Sequence, residues 1–385
     1  MAPAHWRQKM MSADDSPPPF VANRWKMWDT FLEATPETGF MQSSWWADFR
    51  TTAGYEHFGA ILKDSNAVVG GAMVQKFTYA PQSCFYYVQD GPVLPDDQSI
   101  AGQVFSVILG DIENRRQTEE ETASHLRIEP RWERLPSFIS GFRPPAVADR
   151  FVEPRNTLCI DLRPSEAAIL AQMKPKGRYN IGVARRHGVT VIEDTSDRGL
   201  ADFQSIYDAT VTRQGFEAKP PDYFEALISI LLSRQRGSIF FAEYQGKRLA
   251  AALVVYFGRR ATYFFGGSLV EHRSAMAPYL LHFEIMRRAK AMGHEWYDLW
   301  GVAPENQPDD PWADISVFKR KFGGVEVNLV PTLDYVYDTR AYAHYGAMQT
   351  DSAITEGDQD DVAQRVQPEA QRQADEPALV PGLGG

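Results

Sequence analysis

Apolar spacing along the chain alternates between a helical period of three to four and a strand period of two, which predicts an α/β protein. Arg24 to Glu33 (RWKMWDTFLE) is apolar at helical spacing, and Phe40 to Arg50 starts a second helix capped by Ser43 or Ser44. Strands follow at Phe58 to Leu62, at Ala67 to Thr78 broken by Gly70-Gly71, and at Cys84 to Val88, with Val88 to Val93 as a strand-to-loop exit. Ile100 to Arg115 reads as a helix and Ala123 to Glu129 as a strand.

From Phe138 to Pro154 the period is lost and prolines accumulate, which marks a domain boundary. Beyond it Asn156 to Leu162 is a strand, and helices follow at Ser165 to Met173, about Tyr179 to His187, Leu200 to Thr212 and Tyr223 to Arg234. A hairpin, Ser238 to Tyr244 and Arg248 to Phe257, turns at Gln245-Gly246, and Ala261 to Phe265 adds a third strand. Pro278 opens a helix that Gly293 ends, with Leu281, Ile285, Ala289 and Met292 as its buried stripe, and Trp296 to Trp300 is a short buried strand. The order of elements therefore occurs twice and predicts two similar α/β (α+β) modules of mixed sheets flanked by helices.

Composition sharpens this picture. With 385 residues, 44% hydrophobic and 23% charged, the chain has enough apolar material for two cores. Two cysteines, Cys84 and Cys159, make neither a disulfide framework nor a metal spacing, and eight scattered histidines give no ligand set. No apolar run is long enough to span a bilayer, and residues 1–20, with Ser16-Pro17-Pro18-Pro19, read as a flexible leader, so a cytoplasmic protein is expected. Residues 351–385 hold eight acids against two arginines, −6 of the net −10, and read as a disordered acidic tail. Any basic cluster in the nearly neutral remainder is then a local feature.

The densest such cluster is Val317 to Gly324 (VFKRKFGG), with three cations and two phenylalanines closed by Gly323-Gly324. On a helix Phe318 and Phe322 would point inward together, with Lys319, Arg320 and Lys321 on the other faces and the glycines allowing close backbone approach. It reads as the anion-handling end of a site, against the alternative of a solvated basic face. A second cluster, Lys174, Lys176, Arg178, Arg185 and Arg186, runs from just before the predicted helix at about Tyr179 to His187 to its last turn. No Gly-x-Ser-x-Gly elbow or Cys/His nucleophile signature is present.

The element order resembles the acyl-CoA N-acyltransferase (GNAT) fold, in which two splayed parallel strands expose backbone to an acyl donor. The segment that would bind a coenzyme A pyrophosphate, Gly267 to Ala277 (GSLVEHRSAMA), has one arginine and no glycine repeat, which argues against that donor. A more specific resemblance rests on Lys174 to Ile181 (KPKGRYNI), Ala184 to Val189 (ARRHGV), Thr212 to Phe216 (TRQGF), Ala277-Pro278, Tyr297 to Gly301 (YDLWG) and Phe318 to Gly324. In this order and spacing they resemble the FemABX family of peptidoglycan-bridge aminoacyltransferases, with weaker matches at Trp45 to Arg50 and Gly91 to Val93.

The resemblance implies transfer of an amino acid from aminoacyl-tRNA to an amine of a peptidoglycan precursor's stem peptide, nucleotide- or lipid-linked, by a cofactor-free monomer with room for peripheral contact at the inner membrane face. It implies a first domain of residues 21–150 completed by 325–345 and a second of 151–324. Lys319 would stabilise the oxyanion formed on the aminoacyl ester or hold the adjacent tRNA phosphate, and Phe318 would contact the tRNA end or pack in the core. Arg213 would bind the precursor diphosphate, or simply cap its helix; Arg50 stands where the family places a lysine for the same diphosphate. Tyr263 would line the peptide channel or pack, and Arg178 would bind substrate or pair with an acid such as Asp298. Lys174, Lys176, Arg185 and Arg186 would form the tRNA-backbone patch. Asp90, Asp298 and Asp314 are candidate bases by position, and none is singled out. The long helical hairpin arm that members of one class of the family carry in the second domain has no room here, since Leu200 to Arg234 holds only ordinary helices. Two rivals stay open: an N-acyltransferase acting on another amine, such as an exopolysaccharide or small molecule, and a non-catalytic tRNA- or precursor-binding protein.

Overall fold

The structure is a computed structural model that describes residues 25–65, 67–146, 153–215, 218–305, 307, 310 and 312–349. The expected leader and acidic tail lie outside the described residues. In chain order come α1 (Lys26–Ala34), α2 (Ser44–Thr52), β1 (Glu56–Asp64), β2 (Ala67–Ala80), β3 (Ser83–Gln89), α3 (Gln98–Thr118), β4 (Thr122–Glu129) and β5 (Phe142–Arg143). Then follow β6 (Asn156–Asp161), α4 (Glu166–Gln172), α5 (Pro175–His187), β7 (Thr190–Glu193), α6 (Asp197–Gln214) and α7 (Pro221–Ser233). The series ends with β8 (Gly237–Tyr244), β9 (Lys247–Phe257), β10 (Arg260–Ser268), α8 (Ala277–Ala291), β11 (Trp296–Gly301), α9 (Ala313–Lys319), β12 (Val325–Asn328), β13 (Leu333–Val336) and a helix over residues 339–349.

Two mixed sheets result, in the orders β1-β2-β3-β4-β13-β5 and β12-β6-β11-β10-β9-β8-β7. Local signals set many element ends. Ser43 Oγ accepts from Trp46 N at the start of α2, while the neighbouring Ser44 hydroxyl donates to Asp29 at 2.5 Å. Pro175 opens α5 and Gly188, at φ 78°, closes it.

Three sequence expectations change. Strand β2 runs unbroken through Gly70-Gly71, because Gly71 pairs with Val93 and a Cβ at either glycine would meet a carbonyl oxygen at 2.8 Å. Met292 is exposed, since α8 stops at Ala291 before that position can turn inward. The return of 325–345 to the first sheet starts late: β12 pairs with β6 in the second sheet, and the crossing comes at β13, which pairs with β4. Arg127 on β4 fixes the crossing with two 2.8 Å hydrogen bonds to Asp334, both side chains fully buried.

One aromatic cluster joins the halves. Trp28, Trp46 and Phe49 from α1 and α2 pack with Phe203, Phe224 and Phe241 of the second half. The first 25 described residues therefore lie between the sheets, burying apolar surface against both.

The two parallel strand pairs differ. In the first sheet β3 and β4 pair from Ser83–Thr122 through to Gln89–Glu129. In the second, β10 and β11 pair only over Arg260–Thr262, after which β10 leans onto β9 through a bulge and β11 bends towards β6. The V between them leaves strand backbone unpaired, and a wide opening needs something other than strand to fill it.

Candidate active site

That V opens into a cavity of ≈ 830 Å³ running from α2 and α6 to α9. Lys319, Phe318, Tyr263, Arg213 and Arg50 all line it, so five residues scattered over 270 positions are brought to one space. The volume lies within the range of small-molecule and cofactor sites.

At one end stands Lys319. The short helix α9 ends at this residue and the chain tightens into a 3₁₀ turn at Arg320–Phe322, which rotates the side chains away from ideal helical phase. As a result Phe322 enters the core and Phe318 is only partly buried against the cavity, while Lys319, expected on an outer face, is 4% exposed. Its Nζ donates to the carbonyl of Gly301 at 2.6 Å and lies 5.4 Å from the ring of Trp312 and 6.0 Å from that of Tyr263. Burial lowers the lysine pKa to about 7, with the Asp298 carboxylate opposing the shift. His282, behind Tyr263, is held neutral with a pKa of about 3, by burial first and by the Lys319 charge second.

Glycines make this packing possible. A Cβ at Gly301 would overlap the Trp312 ring, and one at Gly177 would overlap the carbonyl of Lys321, so α5 docks directly on the turn after Lys319. Gly323, at φ 75°, and Gly324, at φ 90°, press against the carbonyls of Gln172 and Cys159. Arg320 pairs with Glu326 at 2.6 Å and donates to the carbonyl of Ala303, which makes it a structural neighbour.

At the other end Arg50 stacks its guanidinium 4.1 Å from the centre of the Tyr55 ring. Arg213 donates weakly to Thr210 Oγ1 at 3.4 Å, and its pKa is lowered by burial and by nearby Arg273. The Nε–H groups of Arg50 and Arg213 are both buried without a hydrogen-bond partner among the described residues. Leaving charged donors unsatisfied is costly, so the pair suits an anion with several acceptor oxygens.

The cavity lining also holds a polar rail that sequence reading missed. Gln89 Oε1 accepts from Trp46 Nε1 at 3.2 Å and Gln75 Nε2 at 3.0 Å, and Gln89 Nε2 donates to Glu153 Oε1 at 3.1 Å. Glu153 falls in the proline-containing boundary stretch, where nothing in the sequence distinguishes it from a linker acid. Trp312, which covers Lys319, was equally unmarked.

The remaining candidates lie elsewhere. Arg178 does not line the cavity; its guanidinium donates to the carbonyls of Ala171 (3.0 Å) and Met173, closing the end of α4. It does not pair with Asp298, which is fully buried and takes Arg260 at 3.0 Å and the amide of Trp300 at 2.8 Å. Lys174, which caps α5, and Lys176, Arg185 and Arg186 on it are exposed, outside the cavity, with Arg185 3.4 Å from Glu284. Of the three candidate bases, Asp90 is buried near Arg131, Asp298 is paired, and Asp314 is exposed at the cavity rim. Among the described residues no His, Cys, Asp and Glu group could hold a metal, and no helix is long and apolar enough to cross a membrane.

The chain is similar to known proteins in sequence and in fold. A model of the FemAB family matches residues 144–244 and 233–350. The UDP-N-acetylmuramoylpentapeptide-lysine N(6)-alanyltransferase of Weissella viridescens is 24% identical over 332 residues, covering 82% of this chain and 94% of that protein. The lipid II:glycine glycyltransferase of Staphylococcus saprophyticus is 20% identical, covering 82% and 92%. The crystal structure of FemX superposes with a TM-score of 0.74 at 17% identity, over 82% of this chain and 96% of that one. With the family model spanning more than half of its length, the chain belongs to the FemAB family.

Proposed function

We propose that this chain is an aminoacyltransferase that moves an amino acid from aminoacyl-tRNA to an amine on the stem peptide of a peptidoglycan precursor, working in the cytoplasm. The observation that carries the reading is the single cavity linking Arg50 and Arg213, each with an unsatisfied Nε–H among the described residues, to the buried Lys319. A precursor of the nucleotide- or lipid-linked type has a diphosphate at one end and a peptide amine at the other. Arg50 and Arg213 suit the diphosphate, with the peptide lying along the cavity towards the V between β10 and β11. The named activities of the two relatives, alanyl and glycyl transfer, are of this class.

The chemistry follows from the lysine's setting. An amine attacking an aminoacyl ester puts negative charge on the carbonyl oxygen, and a fixed cation out of water stabilises that charge by several kcal/mol, roughly 3 to 4 for one well-placed donor. Lys319 has lost its water to Trp312, Tyr263 and its own helix, and the developing oxyanion keeps it protonated. Phe318 and Tyr263 wall the ester from bulk water, which disfavours its hydrolysis. The exposed cations of α5, Lys174, Lys176, Arg185 and Arg186, adjoin the Lys319 turn and suit a tRNA backbone.

The test is purified protein with charged tRNA and either a nucleotide-linked or a lipid-linked precursor, read by mass spectrometry. A precursor heavier by one amino-acid residue is expected, and Lys319→Ala should abolish it. If neither precursor gains mass while a tRNA-dependent relative modifies its own in the same assay, the reading fails. Calorimetry with coenzyme A should give no heat; tight binding would move the donor to an acyl thioester.

A further inference from the structure

An acceptor amine reaches the enzyme as an ammonium, and the largely apolar cavity that must receive it carries five cations in its lining, Arg50, Arg213, Lys219, Arg273 and Lys319. Three acids reach its lining. Glu271 is exposed and paired with Lys247, and Asp314 is exposed at the rim. Glu153 is the one drawn in from solvent, half-buried and within electrostatic reach of Arg50 and Lys219.

Its position is fixed on both sides. The amide of Glu153 donates to both carboxylate oxygens of Glu129 at 3.2 Å, and Gln89 holds its Oε1 at 3.1 Å, leaving the second oxygen without a partner among the described residues. The next residue, Pro154, packs against Gly301: a Cβ there would lie 2.7 Å from Pro154 Cβ. Gly301 is the residue whose carbonyl anchors Lys319. One tight contact therefore connects the backbone beside this carboxylate to the lysine's anchor.

Resting on the aminoacyl-transfer reading above, we propose that Glu153 is the catalytic residue that binds the acceptor ammonium through its free oxygen and removes a proton from it. The ammonium gives one proton to the Glu153 carboxylate, and the freed lone pair forms the C–N bond to the ester carbonyl while its oxygen becomes an oxyanion beside Lys319. The oxyanion re-forms the carbonyl, the ester C–O bond breaks, and the remaining surplus proton on nitrogen passes to the leaving ribose oxygen. Glu153 then returns its proton to water, so the products are an amide, a free ribose hydroxyl and one proton.

The groups facing Glu153 suit this work. Glu129 on β4 and Asp90 after β3 add negative charge, Arg50 on α2 and Lys219 before α7 add positive charge more weakly, and Tyr223 of α7 closes the wall. Burial first and the two acids second push the carboxyl pKa up to about 8, nearer that of an amine than an ordinary carboxylate would be.

The experiment compares wild type with Glu153→Gln, which keeps the shape and the contact to Gln89. The acceptor is a UDP-linked muramoyl pentapeptide bearing lysine, or its lipid-linked form if only that is used. Rates are measured from pH 6 to 9, with thermal melting and precursor affinity by calorimetry as controls. Glu153→Gln is expected to lower kcat about 100-fold or more, and to lose the rise of kcat/KM towards pH 8, with melting and affinity close to wild type. Glu153→Asp should keep part of the rate. Hydroxylamine, an amine already unprotonated at neutral pH, is the second acceptor, read above its uncatalysed background. Glu153→Gln should use it as fast as wild type does, because no proton has to be removed. An unchanged rate and pH profile with lysine overturns the proposal, as does an equal loss with both acceptors, which marks a structural role. Wild-type protein inert on every precursor overturns the aminoacyl-transfer reading itself, a failure visible before any variant is made.

Discussion

The Nζ of Lys319 donates a 2.6 Å hydrogen bond to the carbonyl oxygen of Gly301, beyond Asp298, the last residue at which β11 pairs with β10. The bond joins the end of α9 to the open side of the V, so the cation is presented where strand pairing stops. A carbonyl is a modest partner for a buried ammonium, and the lysine is under-compensated in the absence of an anion.

Removing that charge should therefore separate stability from activity. Lys319→Met is expected to stabilise the fold by about 2 kcal/mol near pH 7 while lowering turnover at least 100-fold. Folding lowers the Lys319 pKa from 10.5 to about 7, so between those values the unfolded chain binds the proton that the folded chain lacks. Wild-type stability attributable to this group then rises with pH across that window, and the advantage of Lys319→Met should shrink towards pH 10. Chemical denaturation at pH 7 and pH 10 measures both; a variant less stable at pH 7 contradicts the account.

The arginine end predicts a different signature. Arg213→Ala should raise the KM for a diphosphate-bearing precursor about 10- to 100-fold, equivalent to one charge-assisted contact, with kcat changed much less. Arg50→Lys should cost less than Arg50→Ala, since charge is kept although the stacking on Tyr55 is lost. Steady-state kinetics with a precursor lacking the diphosphate should show no further effect of either change.

Two glycines supply backbone tests. Gly301→Ala would drive a methyl into the Trp312 ring and should displace that indole, seen as a shift in tryptophan fluorescence together with loss of turnover. Gly323→Ala adds strain at φ 75° and a Cβ 2.6 Å from the Gln172 carbonyl, and is expected to destabilise by about 1 to 3 kcal/mol. Urea unfolding distinguishes the two outcomes.

The basic helix α5 divides into two roles. Exchanging Lys174, Lys176, Arg185 and Arg186 for glutamine should raise the KM for charged tRNA and flatten its dependence on salt, with precursor affinity untouched. Arg178→Ala should instead lower the melting temperature, because it frees the carbonyls of Ala171 and Met173 at the end of α4. Filter binding at two salt concentrations and thermal melting give the answer.

Sequence alone determined what depends on near neighbours. Periodicity located the helices and hairpins, proline and glycine marked their ends, and the blocks around Lys174, Arg213, Tyr297 and Phe318 carried the family resemblance because motif spacing survives where overall identity is low. Tertiary structure decided what depends on distant contacts. Lys319 is buried because α9 tightens into a 3₁₀ turn and docks on α5, a phase change that ideal helical spacing cannot register. Arg178 turns to backbone because the end of α4 lies within its reach. Glu153 acquires its place only because Gln89 and Glu129 from the first sheet meet Pro154 beside Gly301 of the second. A carboxylate's environment is the sum of groups brought close by folding, and no window of sequence contains it.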